Sequence, residues 1–132
     1  MKKKIDLLYQ DDTKKIISAC YEVWKKFGGA FKEKVVDNSL NIALKDKGLE
    51  VENQKRIDIY FRGKKVGTYI PDKIINQKII IELKSKPFLT REDVKQFWLY
   101  LKGSEYKVGL LVNFGPKKLE IKRHVYDEAR QR

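Results

Sequence analysis

The chain has 132 residues, of which 42% are hydrophobic and 36% charged. This composition suits one globular domain spanning residues 1–132 and excludes a disordered chain, because there is enough apolar material for one core. The apolar runs are too short to cross a bilayer and none follows the basic N-terminus, so we expect a cytoplasmic protein without a membrane partner.

The charge balance and the rarest residue types narrow the function further. Lys and Arg outnumber Asp and Glu by 30 to 18, which gives a formal net charge of +12 at pH 7. This excess predicts a polyanionic partner, and we expect nucleic acid, with DNA favoured over RNA. The single cysteine, Cys20, and the single histidine, His124, argue against disulfides, zinc clusters and nucleophile–histidine catalysis.

Three segments carry the spacing of apolar residues that is typical of amphipathic helices. The first helix follows a capping region at residues 11–13 and ends at Gly28. The second runs from about residue 31 to residue 47. The third begins after Thr90, a good N-cap residue, and ends at Gly103.

Five segments have the alternation or the continuous apolar character of strands. These segments are residues 50–61, 66–75, 78–84, 108–114 and 119–126. The element order is therefore helix, helix, three strands, helix, two strands. This order predicts an α/β fold with a central mixed β-sheet flanked by helices.

Charged residues interrupt the third predicted strand where it leaves its apolar run. Glu82 and Lys84 lie two residues apart, so their side chains share one face of the strand. Asp72 lies on the preceding strand, and it falls opposite Glu82 only if the intervening turn holds an odd number of residues, so that Ile75 pairs with Ile79. An even turn would place the two acids on opposite faces.

Two opposed carboxylates repel each other, and a divalent cation between them removes the repulsion. Hard oxygen ligands suit Mg²⁺ or Mn²⁺, so Asp72 and Glu82 are candidate metal ligands. An ammonium beside the metal, that of Lys84, would orient an attacking water or stabilise charge on a phosphate. The set predicts phosphodiester hydrolysis.

The sequence Pro71-Asp72, nine further residues and Glu82-Leu83-Lys84 resembles the signature of the PD-(D/E)XK nuclease superfamily. The resemblance implies the restriction-endonuclease-like αβββαβ core. It also implies a third acid at the start of the second helix, Glu33, as an additional metal ligand. Gln96 and Tyr100, four residues apart on the third helix, resemble the Gln-x-x-x-Tyr element of helicase-associated exonucleases and are further candidate catalytic residues.

A narrower resemblance links residues 15–40, 79–85 (IIIELKS) and 97–115 to the small GxxExxY proteins of the same superfamily. The naming motif falls on Ala30, Glu33 and Val36, of which only Glu33 keeps the family's residue. The resemblance implies a metal-dependent nuclease whose cofactor is Mg²⁺ or Mn²⁺.

Lysines and arginines around the predicted site are candidates for contact with the phosphates of nucleic acid. The preferred candidates are Lys86 and Arg91, followed by Lys34, Lys73 and Lys95. The aromatic residues Tyr60, Phe61 and Tyr69 could stack on bases, but the pattern favours packing for all three.

Two alternatives to a nuclease of this kind stay open at the level of sequence. The substitutions at Ala30 and Val36 are also compatible with a catalytically inactive nucleic-acid-binding module of the same fold. A dimeric enzyme resembling Holliday-junction resolvases is the other alternative, because a chain of 132 residues covers little DNA alone and a homodimer would cover more.

Overall fold

The computed structural model describes residues 8–29 and 31–127, which form three helices and seven strands. The helices are α1 (Gln10–Phe27), α2 (Glu33–Asp46) and α3 (Arg91–Gly103). The strands are β1 (Val51–Asn53), β2 (Ile57–Phe61), β3 (Lys64–Tyr69), β4 (Lys73–Ile75), β5 (Ile79–Lys84), β6 (Val108–Phe114) and β7 (Leu119–Val125). Within the same residues, no helix is both long and apolar enough to cross a membrane.

Local sequence explains where the helices begin. Helix α1 starts at Gln10, ahead of the predicted capping region, and the side-chain hydroxyl of Thr13 donates to the carbonyl of Tyr9 instead of capping the helix. Helix α3 has the predicted N-cap: the Thr90 hydroxyl accepts from the backbone N–H of Asp93, and the Asp93 carboxylate accepts from the backbone N–H of Thr90. This reciprocal capping box fixes the start of α3 directly after the predicted site strand.

Five strands form the central sheet in the order β1-β4-β5-β6-β7. The pair β5–β6 is parallel and the other neighbours are antiparallel, so the sheet is mixed, as predicted. All seven residues of β6 are buried, as expected for a strand that is covered on both faces. Helices α1 and α2 pack on one face and α3 on the other, which confirms the predicted fold class.

The prediction of two long strands at residues 50–61 and 66–75 was wrong in one respect. Each is interrupted, so β1 and β4 join the central sheet while β2 and β3 form a separate two-stranded ribbon. The pairing register is the same on both sides of the break, since Val51 pairs with Ile75 and Ile57 with Tyr69. Pro71 has no N–H to donate and Gln54 has a positive φ of 51°, so the ladder cannot run on unbroken.

The turn between β4 and β5 has the parity that a shared site requires. Ile75 pairs with Ile79, and three residues, Asn76, Gln77 and Lys78, lie between them. Asn76 and Gln77 both have positive φ, and the backbone N–H of Lys78 donates to the carbonyl of Ile75. The condition that a shared site places on the turn is therefore met, and continuing the register by one residue brings Asp72 opposite Glu82.

Candidate active site

The candidate site lies where the ladder breaks, next to the carboxyl end of β5. Asp72 is half-buried between buried Pro71 and β4, and its Oδ2 accepts a hydrogen bond of 2.7 Å from the backbone N–H of Leu83. This bond ties Asp72 across to the middle of the Glu-Leu-Lys sequence. Asp72 lies just outside β4, where the strand pairing is interrupted, but its side chain is hydrogen-bonded to β5. The residues of the Pro-Asp and Glu-Leu-Lys sequences are therefore close together in space.

Glu82 is half-buried on the face of β5 that is covered by α3. Its Oε1 accepts a hydrogen bond of 3.1 Å from the hydroxyl of Tyr69, the last residue of β3. The Tyr69 ring in turn stacks on Tyr100 of α3, with ring centroids 4.2 Å apart and an angle of 7° between the planes. Glu82 is therefore held from the α3 side by a stacked pair of tyrosines.

The two carboxyl groups lie on neighbouring strands, and both are half-buried. Burial, followed by the negative charge of Asp72, raises the pKa of Glu82 to about 7. Burial also raises the pKa of Asp72, and the nearby carboxylate of Asp37 adds to the rise. The ammonium of Lys84 lowers the pKa of both acids, so its charge lies near both.

A cavity of about 460 Å³ opens beside this cluster, between α2 and the edge of the sheet. Asp72, Lys84 and Glu33 all line it, so the structure brings these three predicted residues to one cavity. Glu82 is not among the described residues that line it, because its carboxylate is turned towards Tyr69. The remaining polar lining comes mostly from side chains with oxygen atoms, namely Asp37, Asn38, Asn41, Asn53, Gln54 and Ser85.

The donor set fits a hard divalent cation. Asp72 and Glu82 offer carboxylate oxygens, and their mutual repulsion is what a bound cation would relieve. Within residues 8–29 and 31–127, no three Asp, Glu, His or Cys side chains come together as a ready-made metal cluster. Mg²⁺ is commonly held by one or two carboxylates while it keeps several waters, so the pair is sufficient in number.

Glu33 is the first residue of α2 and is exposed at the mouth of the cavity. Of the other two positions of the GxxExxY motif, Val36 is buried in the core beneath α2, and Ala30 lies outside the described residues. The α2 acid that acts on Asp72 electrostatically is Asp37, one turn after Glu33. Sequence reasoning missed Asp37, although the spacing of four residues from Glu33 places both acids on one side of the helix.

Lys73 was predicted to contact phosphate, and the structure contradicts this. Its side chain is fully buried, and its ammonium donates to Asp37 and to Asn41 and Asn53, at 2.7 Å and 2.9 Å for the two amides. We call these four residues the Lys73 cluster. Strand alternation turns the Lys73 side chain inward towards α2. Its ammonium is therefore paired inside the protein and cannot contact a ligand.

The other predicted contact residues have different surroundings. The Lys86 ammonium binds the Asp93 carboxylate at 2.6 Å, so an acid already compensates its charge. Lys34 is exposed and lines the cavity. Arg91 and Lys95 are exposed on the first turns of α3, where they border a second, mainly apolar recess.

The two residues of the Gln-x-x-x-Tyr element have separate positions. Tyr100 is linked to Glu82 through the Tyr69 ring and hydroxyl, whereas Gln96 is exposed on the surface of α3. Sequence reasoning did not give Tyr69 a part in the site. Its position three residues before Asp72, on the strand that leads to it, was the available signal.

Comparison with known proteins shows the superfamily and the fold of the chain. A family model described as the PD-(D/E)XK nuclease superfamily matches residues 10–124, so the chain belongs to this superfamily, which is composed mostly of nucleases. The crystal structure of SSO0001 shares the fold, with a TM-score of 0.55 and 24% sequence identity over 74% of this chain and 52% of that one. The chain thus spans about half the length of that solved protein. No curated protein matches it.

Proposed function

We propose that this protein is a metal-dependent nuclease that hydrolyses phosphodiester bonds of DNA with Mg²⁺ or Mn²⁺, and that it is a member of the GxxExxY group. The observation that carries the proposal is that Asp72 is hydrogen-bonded to the backbone of Leu83 and adjoins Glu82 in the strand register, while Asp72 and Lys84 both line an open cavity. Superfamily membership supports the reaction class. The net charge of +12 supports a polyanionic substrate.

Asp72 and Glu82 would hold the cation, with Glu33 at the cavity mouth as an additional ligand. When bound, the ion supplies charge neutralisation for the scissile phosphate and activation of the attacking water. The ammonium of Lys84 orients that water and stabilises the negative charge that develops on the phosphate oxygens. Tyr69, braced by Tyr100, keeps the Glu82 carboxylate in position.

The substrate enters, in this proposal, along the exposed cations near the cavity. Lys34 lies at the cavity itself, and Arg91 and Lys95 lie on the first turns of α3. Each such side chain contributes a phosphate contact that depends on salt concentration and carries no base preference. Lys86 is released for this role only if its ion pair with Asp93 opens. Gln96 is exposed and free to contact a nucleic-acid end.

The test is cleavage of labelled single-stranded, duplex and branched DNA, and of RNA, with Mn²⁺ or Mg²⁺. The wild type should cleave DNA, and Asp72→Asn should abolish cleavage. Asp12→Asn is the matched control, since Asp12 is a partly buried acid on α1 that pairs with Lys78 and is remote in sequence from the residues that line the cavity. Equal activity in Asp72→Asn and the wild type, or no cleavage of any substrate, would contradict the proposal.

The alternative of an inactive nucleic-acid-binding module rests on two departures from the family's motif. The chain has Ala30 and Val36 where the GxxExxY motif has glycine and tyrosine. A module without turnover should bind nucleic acid as well, or more tightly, when Asp72 is replaced by Asn, because the substitution removes a charge that repels phosphate. Tightening of binding by Mn²⁺ in the wild type alone would instead favour the enzyme.

A further inference from the structure

The far end of the β2–β3 ribbon exposes large apolar side chains. Tyr60, Phe61 and Val66 are 61%, 62% and 63% exposed, although packing was predicted for both aromatic residues. Side chains this exposed add little to the stability of a two-stranded ribbon, and clustered exposed apolar groups commonly mark interaction sites. We call residues 60–66 the ribbon tip.

The tip is exposed because the ribbon continues past the C-terminal end of α3. Ile57 and Ile59 pack into the core under α3, and Ile59 reaches Gly103, the last residue of that helix. A bulge follows, since Ile59 pairs with Gly67 but Tyr60 pairs with Lys65. Beyond this point α3 offers nothing to cover the ribbon, and the bulge adds twist to the strands.

The tip also carries positive charges that no acid among the described residues compensates. Within residues 8–29 and 31–127, Arg62 and Lys64 have no acidic partner, whereas Lys65 of the tip and Arg56 both pair with Asp58. The Arg62 guanidinium lies over the Phe61 ring, 5.1 Å from its centroid. Arg62 has a φ of 52°, a left-handed conformation that costs a residue with a Cβ about 1 kcal/mol.

We propose that the ribbon tip is a nucleic-acid-binding arm that stacks unpaired bases on Tyr60 and Phe61 while Arg62 and Lys64 contact the adjoining phosphates. Aromatic rings beside cations match the two chemical features of a single strand, its base faces and its phosphates. A closed duplex does not offer its base faces, so the inference names unpaired nucleotides as the preferred substrate. It rests on the proposed function and extends it.

The arm is suitably placed to serve the candidate site. Tyr69, whose hydroxyl binds Glu82, pairs across the ribbon with Ile57. Phe61 lies four residues after Ile57 on β2, which is a distance of about 13 Å at the usual rise of a β-strand. A single nucleic-acid strand that is bound at the tip would therefore pass within a few nucleotides of Glu82.

The test measures binding in EDTA, so that it does not depend on cleavage. Fluorescein-labelled single-stranded DNA and a blunt duplex of the same sequence are titrated with the wild type, Phe61→Ser and Tyr60→Ser. Each variant should bind the single strand about 5- to 100-fold more weakly, as expected for losing one stacked base. Duplex binding should change little. Tyr21→Ser, an exposed aromatic on α1, is the control and should match the wild type.

A second measurement reports stacking directly. 2-Aminopurine placed in the single strand should lose fluorescence on binding the wild type and keep it on binding Phe61→Ser. Arg62→Ser should flatten the salt dependence of single-strand binding, because one phosphate contact is lost. All substituted side chains are exposed, so thermal melts should coincide with that of the wild type.

The possible outcomes separate this inference from the proposed function. Equal loss of single-strand and duplex binding, or no loss of binding in any tip variant, would contradict the proposal that the ribbon tip binds unpaired bases. If tip variants lose single-strand binding while the wild type cleaves nothing, the proposed function fails and the arm stands. If the wild type cleaves nucleic acid but the tip variants bind as it does, only the arm fails.

Discussion

Two neighbouring residues, Asp72 and Lys73, lie in opposite kinds of polar environment. Lys73 is fully buried, and its ammonium has three oxygen-bearing side chains around it, so the Lys73 cluster is complete. Asp72 faces a second carboxylate, and the pKa values of both acids are raised. One environment is balanced within the protein, whereas the other has an excess of negative charge.

The difference separates structural from functional polar groups. A buried lysine with complete partners ties α2 to β4 and β1, and the protein needs nothing further from it. A pair of acids that repel each other costs stability, and such pairs cluster at functional sites because a ligand can supply the missing charge. Four predictions test this contrast, in order of decreasing effect.

The largest effect is expected when the ammonium group of Lys84 is removed from the candidate site. Lys84→Met should lower the cleavage rate about 1,000-fold, equivalent to about 4 kcal/mol of transition-state stabilisation. The measurement is single-turnover cleavage with Mn²⁺. Lys47→Met, which removes a partly buried lysine paired with Glu22, should cleave like the wild type. Equal losses in both variants would mean that general charge, not Lys84, matters.

The pH dependence of stability should reveal the excess negative charge. The pKa of Glu82 rises from 4.5 to about 7 on folding, so the folded protein favours the protonated acid. Stability from this group is therefore present below pH 4.5 and is lost as the pH rises to about 7, by up to about 3 kcal/mol. Urea unfolding of the wild type and Glu82→Gln across this range should show the difference. Parallel pH profiles would contradict the raised pKa.

Opening the Lys73 cluster should cost stability by another mechanism. Asp37→Ala leaves a buried ammonium without its counter-charge, and we expect a loss of about 2–3 kcal/mol. That is below the usual cost of breaking a buried pair, because the Asp37 carboxylate is partly exposed. The double variant with Lys73→Met should recover most of the loss, since no buried charge then remains. Asp12→Ala, which breaks an ion pair whose lysine is exposed, should cost less than about 1 kcal/mol.

The smallest effect is expected at the hydrogen bond that holds Glu82. Tyr69→Phe removes the hydroxyl and keeps the ring stacked on Tyr100, so the free energy of unfolding should fall by about 1 kcal/mol. The pKa of Glu82 should rise further, because the Tyr69 hydroxyl lowers it in the wild type. Cleavage should fall while the affinity for nucleic acid stays constant. Tyr106→Phe, a partly buried tyrosine near the end of α3, is the control.

Much of the fold followed from the sequence, because its signals are local. Apolar spacing located the three helices, Thr90 capped α3, and the parity of the turn was stated as a condition that the register meets. The interruption of the long hairpin was not predicted. Pro71 and the positive φ of Gln54 act together across two strands, and neither is decisive alone.

The sequence supplied the candidate site residues, but not the surroundings in which the structure places them. Alternation along β5 placed Glu82 and Lys84 on one face, but it gives no information on what covers that face. Burial of Lys73 was not foreseen, since lysine is almost never fully buried unless partners surround it, and here the partners come from α2 and β1. The exposure of Phe61 depends on where α3 ends relative to the ribbon. This is a property of the tertiary structure that local sequence does not reveal.

The most direct test of the central claim is a calorimetric titration with Mn²⁺ in the absence of nucleic acid. The wild type should bind the ion in a saturable manner, and both Asp72→Asn and Glu82→Gln should lose that binding. Asp58→Asn, an acid of the ribbon, should bind the ion as the wild type does. If the wild type shows no saturable binding, or if all four proteins bind equally, Asp72 and Glu82 do not form the metal site.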